Sequence, residues 1–251
     1  GGISTAVESG TPNTLIINSS TISSNDAGVS GIGNGGGIFN DNDSVTINFS
    51  TISGNDAAND GGGIFTRGVP NTNATLDVQN SAFFDNRAGV IDGIGNSEDG
   101  GDGGAISNDG DTVMLSNVTI SRNSAATEGG GLYQGGTSSA SMLVINVTLF
   151  SNTAQVGSNI FTDGAGPVQL GNTIVAEGQV SASCNDGSLI TSFGHNLEGT
   201  DSCGFGSTPG DGDLVRALPR RRSLRPPRVR AARKPVAAST QRSRRRPLAL
   251  R

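Results

Sequence analysis

The chain has no tryptophan, one tyrosine, one histidine and two cysteines, and its first 215 residues contain no lysine. Each scarcity excludes something. With aromatics at 4% and charged residues at 16%, a broad oily core cannot be assembled, but narrow columns of Ile, Leu and Val can be buried if a repeat stacks them. No run of about 18 apolar residues occurs, so no segment reads as a membrane-spanning helix. The two cysteines lack C-x-x-C spacing, which excludes that metal and dithiol redox motif. Charge is partitioned sharply. Residues 1–215 hold all 22 acidic residues and all 39 glycines against three arginines, Arg67, Arg87 and Arg122, a formal net charge of −19. Residues 216–251 hold thirteen Arg and one Lys, with no acid and no glycine. The overall −5 describes neither part.

What is present is a repeat. The stretch "TISGNDAANDGGGIF" at 51–65 is rewritten along the chain. Aligning on the Asn of Asn-x-Ala gives Asn25, Asn55, Asn86, Asn123 and Asn152, at intervals of 30, 31, 37 and 29 residues. Three positions before each stands an apolar residue: Ile22, Ile52, Phe83, Ile120 and Leu149. Two positions after each stands Ala: Ala27, Ala57, Ala88, Ala125 and Ala154. Upstream lie short alternating stretches such as "SVTINFSTI" and "SMLVINVTL", whose β-branched enrichment predicts strands with one buried face. Downstream come glycine clusters with an apolar pair: "GGGIF", "GGGIF", "GGAI", "GGGLY" and the degenerate "GSNIF" at 157–161.

Units of about 30 residues that cannot bury their own apolar face must stack. Strands stacked one coil per repeat make an all-β fold, a single-stranded parallel β-helix. Its coils lie about 4.8 Å apart, so six or seven of them extend on the order of 30 Å. In this arrangement the residue three before Asn joins an internal aliphatic column. The Asn amides form a ladder that satisfies buried polar groups, and the glycines allow positive φ and close approach between coils.

"GGAI" at 103–106 and "FFDN" at 83–86 resemble the signatures of polymorphic outer membrane protein repeats. The wider pattern is similar to bacterial right-handed β-helix proteins of the pectate-lyase-like fold. The segment "LGNTIVAEGQVSASCNDGSLITSFGHNLEGTDSCGF" resembles the terminal segment of proteins with a choice-of-anchor Q domain. These resemblances imply a right-handed helix and an extracellular or outer-membrane location. They leave activity open, because this fold hosts many functions. Residues 1–180 are expected to form the helix, 181–215 a terminal cap and 216–251 a disordered Arg-rich tail. In an exported protein Cys184 and Cys203 are expected to form one disulfide.

The register predicts Arg87 over Asp56 and Arg122 over Asp85, structural pairs on the surface. Arg67, in "TRGVPNTN", has no assigned partner and is expected to be solvated. His195 is expected to serve a turn or packing role. A Thr column, Thr21, Thr51, Thr119, Thr148 and Thr173, interrupted by Ala82, is expected to face outward and reads as strand propensity rather than ice binding. The longest loop, 88–104, gathers Asp92, Glu98, Asp99 and Asp102, candidate calcium ligands although their spacing matches neither an EF-hand nor a nonapeptide repeat. No other cofactor and no catalytic residue is expected.

The chain opens without Met in mid-repeat, which predicts preceding residues and an export signal. The abrupt loss of glycine and acid after Val215 predicts a shifted reading frame, rather than a nucleic-acid- or membrane-binding tail. The expected function is that of a non-catalytic surface or secreted scaffold of adhesin or passenger type. Its expected partners are extracellular glycans or surface proteins, not nucleic acid, and it is expected to be monomeric and tied to the outer membrane through regions beyond this chain. The competing class is a polysaccharide lyase or glycosidase of the same fold.

Overall fold

The computed structural model describes residues 1–6, 11–28, 33–68, 74–89, 100–136, 140–206 and 212–215. All belong to the unit Gly1–Leu218. The tail 216–251 therefore lies outside the described residues, as do Asp92, Glu98 and Asp99 of the long loop.

The described residues form four all-parallel sheets wound as a right-handed β-helix. The first sheet stacks the strands that follow the glycine clusters: Ile3–Ala6, Ile38–Asp41, Ile64–Arg67, Ile106–Asp109, Leu132–Gly135 and Ile160–Thr162. The second stacks the alternating segments, from Thr14–Asn18 through Ser141–Ile145 to Ile190–Ser192. The third runs from Thr21–Ser23 to Leu214–Val215, and the fourth stacks two-residue strands ending in Ala27, Ala57, Ala88 and Ala125. The single helical element among the described residues is a 3₁₀ turn, Gly187–Leu189, just before the strand Ile190–Ser192.

Each sheet places like on like. In the third, Ile22, Ile52, Phe83, Ile120, Leu149 and Val175 are consecutive register partners, and all are buried. The first contributes Ile38, Ile64, Ile106, Leu132 and Ile160, each fully buried, in one column. Every second residue of a strand faces inward, so each three- to five-residue strand contributes one or two side chains and the core is a bundle of columns.

The glycine cluster is needed where the fourth sheet passes into the first. A Cβ on Gly62 would fall within the Arg87 backbone of the next coil. Gly61 beside it, at φ 68°, makes the preceding turn in a conformation that side-chain-bearing residues adopt at a cost.

The Thr column departs from expectation at its end. Thr21, Thr51, Ala82, Thr119 and Thr148 are register partners, but the next partner is Ile174. Thr173 is fully buried. Val175 takes the inward column position there, so alternation turns Ile174 outward and leaves Thr173 in the inward row that precedes the strand.

Candidate functional site

Most residues singled out by the repeat are occupied in holding one coil to the next. The Nδ2 of Asn25 donates to Oδ1 of Asn55 at 2.9 Å, Asn55 to Asn86 at 2.9 Å, Asn86 to Asn123 at 2.9 Å and Asn123 to Asn152 at 3.1 Å. Each receiving oxygen also accepts the donor residue's own backbone N–H, at 2.9–3.1 Å. The second Nδ2 hydrogen reaches the carbonyl of the apolar column in the preceding coil: Asn55 to Ile22, Asn86 to Ile52, Asn123 to Phe83 and Asn152 to Ile120. Every donor and acceptor of a central asparagine amide is used.

Three more ladders escaped the sequence reading. Backbone N–H groups of Ser20 and Ser50 donate to Oγ of Ser50 and Ser81 in the following coil. On the outer surface, Asn80, Asn117, Asn146 and Asn172 chain their amides from coil to coil. All four adopt left-handed φ of 48–56°, a conformation Asn tolerates. His195 follows them, exposed at φ 60°. Preceding the glycines, Asn34 accepts the N–H of Asp60, Asp60 accepts those of Gly101 and Asp102, and Asp102 accepts that of Glu128. Asp102, the one described member of the calcium candidates, thus uses Oδ1 on Glu128 and on the Thr127 hydroxyl. Among the described residues no group of three or more His, Cys, Asp or Glu is placed to share a metal ion.

Two of the three arginines are held in ion pairs. Arg122 holds Asp85 through two contacts, at 2.9 and 3.1 Å, and lies 5.6 Å over the Phe84 ring. Arg87 is the register partner of Asp56; burial raises that carboxyl and the Arg87 charge only partly opposes the rise. Arg67 requires a correction. It ends the strand Ile64–Arg67, grips Asp41 with Nε and Nη2 at 3.1 and 2.6 Å and lies 5.9 Å over Phe39. The first-sheet register explains this, since it sets Asp41, Arg67 and Asp109 in one row.

Cys184 and Cys203 form a disulfide with Cα atoms 5.1 Å apart. The Glu198 carboxylate beneath it accepts both the N–H and hydroxyl of Ser202 and the N–H of Cys203. Burial outweighs those bonds and raises the Glu198 carboxyl above the usual range.

A candidate recognition surface is the outer face of the first sheet. Its central row is Phe39, Phe65, Ser107, Tyr133 and Phe161 in strict register. Phe39 and Phe65 stack at 5.6 Å and 9°, Tyr133 and Phe161 at 5.4 Å and 4°. Phe65 and Ser107 are covered, whereas Tyr133 and Phe161 are half-buried. Along one margin runs the row Asp60, Asp102 and Glu128, and along the other Asp41, Arg67 and Asp109, with exposed Asp163 beyond. Gly135 stands where a side chain would collide with the Tyr133 ring, since a Cβ there would lie 2.6 Å from the hydroxyl. The Tyr133 phenol is pushed up by burial and by Asp102, Asp163, Glu128 and Asp60, so it stays protonated. Asp102, Asp109 and Glu128 are also raised, chiefly by burial. The row was visible in the sequence as the residue after the Ile or Leu that closes each glycine cluster, yet only the register shows it to be continuous.

Comparisons with protein-family models, with curated proteins and with solved structures each return no match.

Proposed function

We propose that this chain is a rigid, acidic β-helix module of a secreted or cell-surface protein, of adhesin or passenger type. It presents the outer face of its first sheet to a glycan or protein partner. The observation that carries this reading is the Tyr133–Phe161 stack set between two carboxylate rows on a scaffold cross-linked at every coil. Aromatic edges with flanking carboxylates suit sugar C–H groups and hydroxyls. The net −19 of residues 1–215 disfavours polyuronates and nucleic acid by repulsion and favours neutral or amino-bearing glycans, or a basic protein surface. The likeness of "GGAI" and "FFDN" to outer membrane protein repeats, with the disulfide, supports export to an oxidising compartment.

A catalytic reading is favoured by one observation, the raised carboxyls of Asp102, Asp109 and Glu128 on this same face, since glycosidases use a carboxyl pair of split acidity. Arg67 and Arg122 are held in ion pairs and Arg87 lies in register with Asp56, which disfavours an arginine as a lyase base.

The test is calorimetric titration with neutral, amino-bearing and uronate oligosaccharides, beside product analysis. Binding of the first two classes without turnover is expected. Tyr133→Ala and Phe161→Ala should each weaken it about tenfold, at unchanged melting temperature. Turnover, or binding indifferent to both substitutions, contradicts the proposal.

A further inference from the structure

The tightest polar junction of the β-helix lies at the corner between the first and second sheets. Asn40 and Asn108 each clamp a turn there: the Asn Oδ1 accepts the N–H of the residue three ahead, Asp43 or Asp111, and its Nδ2 donates to that residue's carbonyl. Between these two turns the intervening coil has Thr66 in place of Asn and Ala74 in place of Asp. Asp111 spans the difference. Its Oδ2 accepts from the Thr66 hydroxyl and from Asn40 Nδ2, the latter at 3.3 Å, so one carboxyl ties three successive coils.

That carboxyl is poorly placed to carry a charge. Asp111 is 2% exposed, and its Oδ1 is the one buried side-chain oxygen or nitrogen without a partner among the described residues. The backbone of Gly68 lies against this oxygen, so a side chain at 68 would strike it. The charged groups facing the corner are Asp41, Asp43, Asp109 and Arg67. Arg67 is committed to Asp41, and Asp43 turns its Oδ1 to the N–H of Asn13. An ionised oxygen with no donor, three like charges nearby and the one neighbouring cation committed to Asp41 carries a desolvation cost that a proton reduces.

We propose that Asp111 is a proton-operated latch: neutral, it closes the junction of the Asn40, Thr66 and Asn108 coils, and ionisation loosens that junction. Burial and the neighbouring carboxylates set the transition at about pH 6. A group raised in the folded state contributes stability fully present below its ordinary value, 3.8, and lost as pH rises through about 6. Above pH 6 the corner beside Asp109 and Arg67, at the margin of the aromatic face, is the first part of the β-helix to open.

The test uses the full chain and follows urea unfolding from pH 4 to 7.5 for the wild type and Asp111→Asn, which keeps the shape but cannot ionise. The ratio of wild-type to variant folding constants should fall by about a hundredfold across this range. A ratio that stays flat overturns the proposal. Should Asp111→Asn fail to fold, carbon-13 NMR of the wild-type carboxyls decides. A titration midpoint near 6, with faster amide exchange at 108–112 above it, supports the latch, and a midpoint near 4 refutes it. Calcium is the control: if 1 mM calcium chloride abolishes the wild-type pH dependence, a cation rather than a proton neutralises Asp111, and the proposal fails.

Discussion

At the scale of single residues, stability is concentrated in amides that have no alternative partner. Asn86 accepts two hydrogen bonds from Asn55 and donates to Ile52 and Asn123. Replacing it by Ala strands an N–H, an amide and a carbonyl in a site closed to water, each a penalty of about 1–3 kcal/mol. Asn86→Ala should cost roughly 3 kcal/mol or more in urea unfolding. Asn25→Ala, at the open end of the same ladder and half-buried, should cost about 1 kcal/mol or less. Equal costs at the two positions would mean that the ladder is not cooperative along the column. The asparagines were legible in the sequence because five copies share one spacing. Asp60 and Asp102 were not, since their role depends on which N–H the next coil brings beneath them.

At the scale of elements, a coil is held by its two neighbours and little else, as its strands of two to five residues cannot stand alone. The segment closed by the disulfide therefore matters locally. Cys184 and Cys203 close a loop of 19 residues, and Glu198 beneath them is fully buried. Cys184→Ser should destabilise that segment by about 3 kcal/mol on the chain-entropy account. Hydrogen exchange should rise across 184–206 while Asn55, Asn86 and Asn123 stay protected. Loss of protection along the whole ladder would show that this segment and the coils form one cooperative unit. The strands and their parallel order could be read from alternation and spacing. What could not be read was register at irregular coils: the connection through 69–73 hides that Arg67 aligns with Asp41 and Asp109, and the shortened last repeat hides that Thr173 is inward.

At the scale of the whole molecule, the described unit is built to tolerate acid. Asp56, Asp102, Asp109, Glu128 and Glu198 all hold protons more tightly than an ordinary carboxyl, mainly through burial, and Asp111 does so up to about 6. The folded state thus binds more protons than the unfolded one between about pH 4 and 6, and stability falls as pH rises through that window. Asp111 alone contributes about 3 kcal/mol to the difference. Melting temperature should be higher at pH 5 than at pH 7.5, and 0.5 M sodium chloride should raise it at the higher pH by screening the net negative charge. A maximum near pH 7.5 would contradict this. All of these expectations rest on equivalent residues lying directly over one another. Spin labels at outward positions of the third sheet measure that directly, with Thr21 paired in turn with Thr119, Thr148 and Ile174, three, four and five register steps away. Pulsed dipolar spectroscopy should return distances of about 14, 19 and 24 Å, rising by one interstrand spacing per coil; distances that fail to rise in even steps would contradict the stacked register.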